Sequence, residues 1–270
     1  MSMTKRLLAP GFVTSRLAAA MAAGLLFSSI AAIETAVAEP VEVTVLTSVA
    51  LTSALDELAA QFERSTGTKL KIGYSLIADV KKRVLAGETA DVIILSRPAM
   101  DDLLKQDKLT PGSIANMAGT PVAVAVKAGA PKPDISSADA LKRSLLAAKS
   151  VVYADPAKGG AAGVHFAHVV DQLGIAEQMK SKTILVPGAQ AADVVAKGDA
   201  EIGVGQASEI VPVSGVQLVG PLPGELGSVT EFTAGIGAGS KAAEAAKSLI
   251  LFLTGPAAAA VFKAKGFQPG

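Results

Sequence analysis

Along the first third of the chain the apolar positions switch between two periods. Val43-Thr44-Val45-Leu46 is a β-branched run of strand type, and after the polar turn at Thr47-Ser48 the residues Leu55, Leu58 and Phe62 fall on one face of a helix. Ser53 stands where a helix cap is expected, with Asp56 three residues on. Lys69 to Tyr74 predicts a second strand. Asp79 to Ala86 predicts a helix with Val80, Val84 and Leu85 inward and Gly87 as its stop. Asp91 to Leu95 is a nearly all-apolar strand, the pattern of a parallel strand covered on both faces, and Pro98 to Gln106 returns as a helix. This β-α-β-α-β-α order predicts a doubly wound parallel sheet, whose ligands bind outside the carboxyl ends of the strands.

The rhythm restarts after a break. Thr120 to Val126 is a Val/Ala strand, followed by the Gly/Pro stretch from Lys127 to Pro133, which suits a boundary. Ser137 then caps a helix running to Lys149, Val151 to Ala154 is a strand, Asp155 to Gly163 is a glycine-rich turn, and Val164 to Leu173 is a helix. Thr183 to Val186 and Ile202 to Val204 are short strands flanking a helix at Ala191 to Ala196. The segment Val216 to Gly239 is rich in Gly and Pro and predicts one strand, Thr230 to Ile236, before a helical stretch from Ser240 to Lys265. That tail is too short for a third domain. We therefore expect an α/β protein of two doubly wound lobes with a ligand cleft between them. Residues 39–124 and 232–270 form lobe 1, residues 125–231 form lobe 2, and the hinges lie near Val126 and Thr230.

Composition narrows the class. The chain has 270 residues and a formal charge of +1, and half of it is hydrophobic, which suits one large or two small globular domains. There is no basic run, and two tyrosines, eight phenylalanines and no tryptophan offer little to stack on bases, so no nucleic-acid partner is expected. The same scarcity disfavours a sugar site. The absence of cysteine excludes disulfides, thiolate metal sites and a cysteine nucleophile. Lys5, Arg6 and Arg16 precede an apolar run from Leu17 to Ile33, and Ala36-Val37-Ala38 gives a small-x-small pattern before Glu39. Residues 1–38 therefore predict a cleaved secretory signal and a periplasmic destination. Removing Lys5, Arg6, Arg16 and Glu34 takes a net +2 from the formal +1 and leaves −1. A later apolar segment, Ala245 to Ala264, is broken by Gly255-Pro256 and predicts no membrane span.

Candidate chemistry gathers at strand ends. Thr47, Ser48, Thr52 and Ser53 crowd a helix N-terminus, where hydroxyls, free N–H groups and the helix dipole can hold an anion without a cation; ordinary capping uses the same residues. Arg97, just past the apolar strand, can take a carboxylate in a bidentate grip, and Lys158 in the glycine-rich turn can act likewise, a surface salt bridge being the alternative for each. His165 and His168 stand three apart on one helix. No cysteine or carboxylate partner accompanies them, so no metal is expected, and His165 reads as a polar contact near the cleft or a satisfied, partly buried ring.

Several motifs carry a family resemblance over nearly all of the mature chain. They are Leu51-Thr52-Ser53-Ala54-Leu55, Gly87-Glu88-Thr89-Ala90-Asp91-Val92, Asp155-Pro156, Gly198-Asp199-Ala200-Glu201-Ile202-Gly203 and the tail Phe252-Leu253-Thr254-Gly255-Pro256 ending in Lys265-Gly266-Phe267-Gln268-Pro269. In these the chain resembles the periplasmic solute-binding proteins of ABC importers, type II fold, molybdate-binding branch. The resemblance implies a monomer that captures a small, molybdate-like oxyanion in the interlobe cleft without a cofactor and delivers it to a membrane permease. That branch holds its oxyanion with a serine in the first turn, a serine before the second helix, backbone amides at a second-lobe helix and a tyrosine hydroxyl. Here Ala50 takes the first place, Leu76-Ile77-Ala78 the second with Ser75 nearby, and Gln206 the last, while Gly160-Ala161-Ala162-Gly163 keeps the amides. The implied ligand contacts are Thr47, Ser48, Ser75, Ala161, Ala162, Gly163 and Gln206, and the missing hydroxyls, with Arg97 and Lys158, suggest an anion larger than molybdate, tungstate or sulfate. Ala125 to Pro131 and Val219 to Pro223 also resemble the aconitate isomerase group on the same scaffold, an activity that needs a base to move a proton between carbons, with His165, Asp155 and Glu209 available.

Overall fold

The computed structural model describes residues 41–269; the secretory signal expected over residues 1–38 lies outside them. The first rhythm is present as β1 (Glu42–Ser48), a 3-10 turn (Val49–Leu51), α1 (Thr52–Thr66), β2 (Lys69–Ser75), α2 (Ile77–Leu85), β3 (Val92–Ser96) and α3 (Arg97–Lys105). The chain continues through β4 (Ala115–Lys127), α4 (Ala138–Ala147), β5 (Val151–Ala154), a 3-10 turn (Pro156–Lys158), α5 (Ala161–Gln172), α6 (Ala176–Lys180), β6 (Thr183–Val186), α7 (Ala191–Lys197), β7 (Ile202–Gln206) and α8 (Ala207–Ile210). It returns through β8 (Val216–Pro221), a 3-10 turn (Gly224–Leu226), β9 (Val229–Ile236), α9 (Ala243–Leu253), α10 (Pro256–Ala264) and β10 (Gln268–Pro269).

β1 pairs in parallel with β2 and β3, β3 pairs antiparallel with β9, and β9 with the first part of β4, from Ala115 to Pro121. From Val122 onward β4 changes partners and runs antiparallel to β7 and β8, while β7 pairs in parallel with β5 and β5 with β6. One strand thus belongs to both halves. Pro121 stands at the exchange, where a residue without an N–H interrupts a ladder at least cost. The second crossing is fixed beside it, since Val122 N donates to Ser228 O at 2.9 Å and Leu222 N to Val122 O at 3.0 Å.

Each half is covered on both faces, which is what a parallel strand of continuous apolar residues requires. In the first half Phe62, Leu249 and Phe262 of α1, α9 and α10 pack on Val45, Ile94 and Phe232, while Val80, Val84, Met100 and Leu103 of α2 and α3 pack on Leu46, Ile93 and Leu95. In the second half Leu141, Leu145, Phe166 and Val169 cover Val124, Val151 and Val204, and smaller residues of α7 and α8 cover Ala123, Ala125 and Val152. The two doubly wound lobes expected from sequence are therefore present.

Four details differ from the sequence reading. Ser53 lies inside α1 rather than capping it, and Ser48 instead caps the preceding 3-10 turn, its Oγ accepting from Ala50 N at 3.3 Å. Asp56 accepts from the Tyr74 hydroxyl at 2.7 Å. The strand β8 was hidden in a Gly/Pro-rich stretch because it pairs only with β4, across an irregular register. The terminal helical stretch is two helices meeting at 60° across Gly255-Pro256, as the missing proline N–H dictates.

Asp91 fastens the returning C-terminal segment to lobe 1. Its Oδ2 accepts from Thr44 N at 2.9 Å and Thr44 Oγ1 at 2.7 Å, and its Oδ1 accepts from Ser240 Oγ at 2.8 Å, Lys241 N at 3.1 Å and Ala242 N at 3.2 Å. Burial alone would push this carboxyl up; the donors of Thr44, Ser240 and Ala242 together outweigh it and hold it down to about 2. The folded value lies below the unfolded one, so the stabilisation is complete above about pH 4 and is lost as pH falls toward 2. We predict that Asp91→Ala destabilises by on the order of 3 kcal/mol at pH 7. The gap to wild type should narrow by ~2 kcal/mol as the pH falls to about 2. Urea unfolding at both ends of this range would show it, and a gap independent of pH would contradict it.

Candidate functional site

Both lobes end their parallel strands at one edge. In lobe 1 that edge carries Thr47 and Ser48 of β1, Ser75 of β2 and Ser96 followed by Arg97 after β3; in lobe 2 it carries Asp155 after β5 and Gln206 at the end of β7. Across the edge the start of α2 meets the start of α5. A methyl group on Gly159 would lie 2.9 Å from Ala78 Cβ, and one on Gly160 would lie 3.9 Å from Leu76 Cδ2. A second contact between lobes is made where α8 packs against the turn Val49–Leu51.

The two facing helices are both open at their N-termini. Neither Leu76 nor Gly160 supplies a side-chain cap, and the first in-helix bonds are Val80 N to Leu76 O and Val164 N to Gly160 O, each 3.0 Å. The N–H groups of Ile77, Ala78 and Asp79 on one side and of Ala161, Ala162 and Gly163 on the other are left for a ligand or water. Two positive helix ends converge there, which favours an anion without any cationic side chain. α5 begins three residues earlier than its apolar period suggests. Gly163 explains why: a Cβ there would stand 2.1 Å from Ala154 O, so only glycine lets the helix start close against the end of β5.

The remaining predicted site residues are placed as follows. Thr47 is fully buried and its Oγ1 donates to Ile94 O at 3.1 Å, so its hydroxyl serves the sheet. Ser48, also buried, turns its Oγ to Ala50 N. Ser75 Oγ lies 3.4 Å from Asp79 Oδ2 at the start of α2. Arg97 is half exposed and engaged within lobe 1, its Nε with Asp101 Oδ1 at 2.9 Å and its Nη1 with Asn116 Oδ1 at 3.3 Å. Lys158 is exposed on the 3-10 turn before α5. His165 Nε2 bonds Leu226 O at 2.8 Å and His168 is exposed; among the described residues no group of three His, Asp or Glu side chains forms a metal site.

Gln206 is only 2% exposed and reaches across the crossing, its Nε2 donating to Thr230 Oγ1 at 3.2 Å. Its Oε1 leans toward the first turn of α8 without completing a hydrogen bond, and the buried hydroxyls of Ser53 and Ser208 are likewise without partners. Glu209 folds back over the same turn, Oε2 accepting from Gln206 N at 3.3 Å. Burial pushes its carboxyl up to about 7, with the Gln206 bond opposing. Sequence reasoning named Glu209 only as one possible base and missed the Gly159–Ala78 contact altogether. Two open cavities of about 260 and 420 Å³ around Thr89, Ala90 and Gly239 lie at the amino ends of β1 and β3, away from this edge.

Comparison with known proteins agrees with this architecture. The model of the bacterial extracellular solute-binding protein family matches residues 43–268. An aconitate isomerase from a Pseudomonas species is 31% identical over 239 residues, covering 86% of this chain and 90% of that protein. A molybdate-binding protein of Azotobacter vinelandii is 29% identical over 265 residues, covering 95% of this chain and 98% of that one. A solved periplasmic molybdate-binding protein from the same organism shares the fold with a TM-score of 0.69 at 20% identity, over 84% of this chain and 99% of that chain.

The tight seat of α5 is testable. Gly163→Ala drives a methyl group into the Ala154 carbonyl and should destabilise the protein by roughly 2–3 kcal/mol through overpacking. Urea midpoints would measure the loss, and an unchanged midpoint would mean that the helix start moves freely.

Proposed function

The chain belongs to the family of bacterial extracellular solute-binding proteins, and from that premise we propose that it captures a small organic polycarboxylate of the aconitate class in the cleft between its lobes. The observation that carries this reading is the pairing of two uncapped helix starts with an apolar wall. The amides of α2 and α5 can take carboxylate oxygens, while Leu76 and Ala78 offer hydrocarbon where an inorganic oxyanion would need hydroxyls. A bare oxyanion in such a site would leave lone pairs unsatisfied at about 1–3 kcal/mol each. The aconitate isomerase relative supports the choice of aconitate. Ser48, Ser75, the amides of Ala161 to Gly163, Gln206, Arg97 and Lys158 are the proposed contacts, with Arg97 leaving Asp101 to grip a carboxylate.

A second reading, capture of a molybdate-like oxyanion for an ABC permease, is favoured by the molybdate-binding relative and by two uncapped helix starts that can hold an anion through backbone amides alone. Under either reading we propose a periplasmic monomer matured before Glu39. We place its lobe boundaries at Pro121–Val122 and Ser228–Val229, where β4 exchanges β9 for β7 and β8.

Arg97 separates the readings. If the ligand is a polycarboxylate, Arg97→Ala should weaken binding at least about thirtyfold by removing a charge-assisted pair from the cleft. If it is a tetrahedral oxyanion, the loss should stay under about fivefold, as for an exposed charge. Calorimetry with trans-aconitate and with molybdate measures both. Proton NMR of trans-aconitate left with the protein then shows whether capture ends in release or in conversion to the cis form. Binding of neither anion would sink both readings.

A further inference from the structure

Glu209 stands at the carboxyl edge of lobe 2 and, among the described residues, forms no ion pair. The helix that carries it packs chiefly on the turn Val49–Leu51, β4, β7 and β8. The first, third and fourth of these contain no titratable side chain. On β4 the one charged side chain is Lys127 at the far end, near Gly198. Nearby charges are otherwise engaged or lateral. Lys265, beside the Gly266 that touches Ala207, pairs with Glu57 at 3.1 Å; Glu231 of β9 lies against Gly119; Asp155 and Lys158 belong to the loop after β5, the strand next to β7. None of them shifts the Glu209 carboxyl, whose state is set by burial and the Gln206 bond.

The position links this group to the cleft. α8 touches the turn that follows Ser48, so Glu209 sits one short helix away from lobe 1's half of the proposed site. Its carboxylate folds over the end of β7, Oε2 lying 3.4 Å from where a Cβ on Gly205 would stand, and the side chain keeps some accessible surface. Its neighbours along the same turn are neutral groups, among them Gln206 Oε1 and Ser208 Oγ, both buried and without partners. Dipoles of this kind can reorient toward a proton or an anion but cannot cancel charge.

We propose that filling the cleft with an anion loads a proton onto Glu209, so that capture by this protein is proton-linked and Glu209 sets its pH dependence. The inference rests on the anion reading of the cleft and holds for a carboxylate or an inorganic oxyanion alike. A second negative charge brought into a crevice of low dielectric disfavours the ionised carboxylate, and the protonated form gains an O–H to donate toward the ligand side. In the free protein the carboxyl is already near neutrality, so little work separates the two states. Binding then favours the protonated form. Affinity should be flat below about pH 7 and fall by up to about tenfold per pH unit above it, until the value of the complex is reached.

Calorimetry with molybdate, which keeps its charge over this range, and with trans-aconitate, in two buffers of different ionisation heat, counts the protons. Wild type should take up between about half and three-quarters of a proton per anion near pH 7.5 and bind up to about fivefold more weakly at pH 8 than at pH 7. Glu209→Gln, a neutral copy of the protonated form, should take up none and bind equally at both. Binding without proton uptake, or uptake that persists in Glu209→Gln, overturns the proposal alone; no binding of either probe by wild type at any pH overturns the anion reading and the proposal with it. Should Glu209→Gln fail to fold, carboxyl-labelled wild type gives the same answer by NMR. The Glu209 titration must move upward when anion is added, and an unmoved titration overturns the proposal.

Discussion

The sharing of β4 between both sheets is the constraint on which the rest depends. Six residues between Ala115 and Pro121 pair with β9, Met117 being passed over at a bulge, and the following residues pair with β7 and β8, so the two lobes cannot separate without breaking a continuous strand. They can only bend about it. The bonds of Val122 to Leu222 and Ser228 hold the second crossing beside the first, and the pair of Gln206 with Thr230 and of Ser208 N with Thr120 Oγ1 at 3.1 Å secures the end of β7 to the same place. Under the lobe boundaries proposed above, a movement that opens the cleft would have its axis near Pro121, beside the polar side chains at the end of β7.

From that arrangement the electrostatics follow. Doubly wound sheets put helix N-termini at the carboxyl edge, and joining two such sheets through β4 turns their edges toward each other. The starts of α2 and α5 then meet, separated by glycines on one side and an alanine on the other. Positive potential is supplied by the backbone, while the cationic side chains of the neighbourhood are either paired, as Arg97 is with Asp101, or exposed, as Lys158 is. A carboxyl such as Glu209 would be held ionised beside a lysine or arginine. Here burial pushes it up to about 7 against the single opposing bond from Gln206 N.

Much of the fold was legible in the sequence because double burial leaves a strong mark. β3 is apolar at four successive positions because helices lie on both of its faces, and the helices α1 and α2 show their inward stripes. What escaped notice was whatever tertiary contact alone supports. Ala115 to Gly119 has neither branching nor alternation and is strand only because β9 and β10 pair with it; β8 ends in Gly220 and Pro221 and pairs with β4 alone. The site divides in the same way. That hydroxyls crowd the first turn is readable in Thr47, Ser48, Thr52 and Ser53, but which are already spent is not. Thr47 gives its hydrogen to Ile94 O, Ser48 serves Ala50 N, and Ser53 is left without a partner inside α1.

The glycines at the second-lobe turn show how these levels meet. Gly163 is dictated from within lobe 2, by a carbonyl 2.1 Å from where a Cβ would be, whereas Gly159 is dictated from across the cleft, by Ala78. Gly159 also holds φ at +75°, a region that β-carbon sterics make costly for other residues, so its backbone and its surroundings ask for the same residue. A hydroxyl-bearing side chain at Ala78 would compete for that space. The apolar wall and the glycine turn are thus one adaptation rather than two: the lobes approach closely because both surfaces are small there. At this point of closest approach a ligand's oxygens would meet the amides of α2 and α5, and side-chain donors such as the proposed Ser75 and Arg97 would have to reach it from beside the contact.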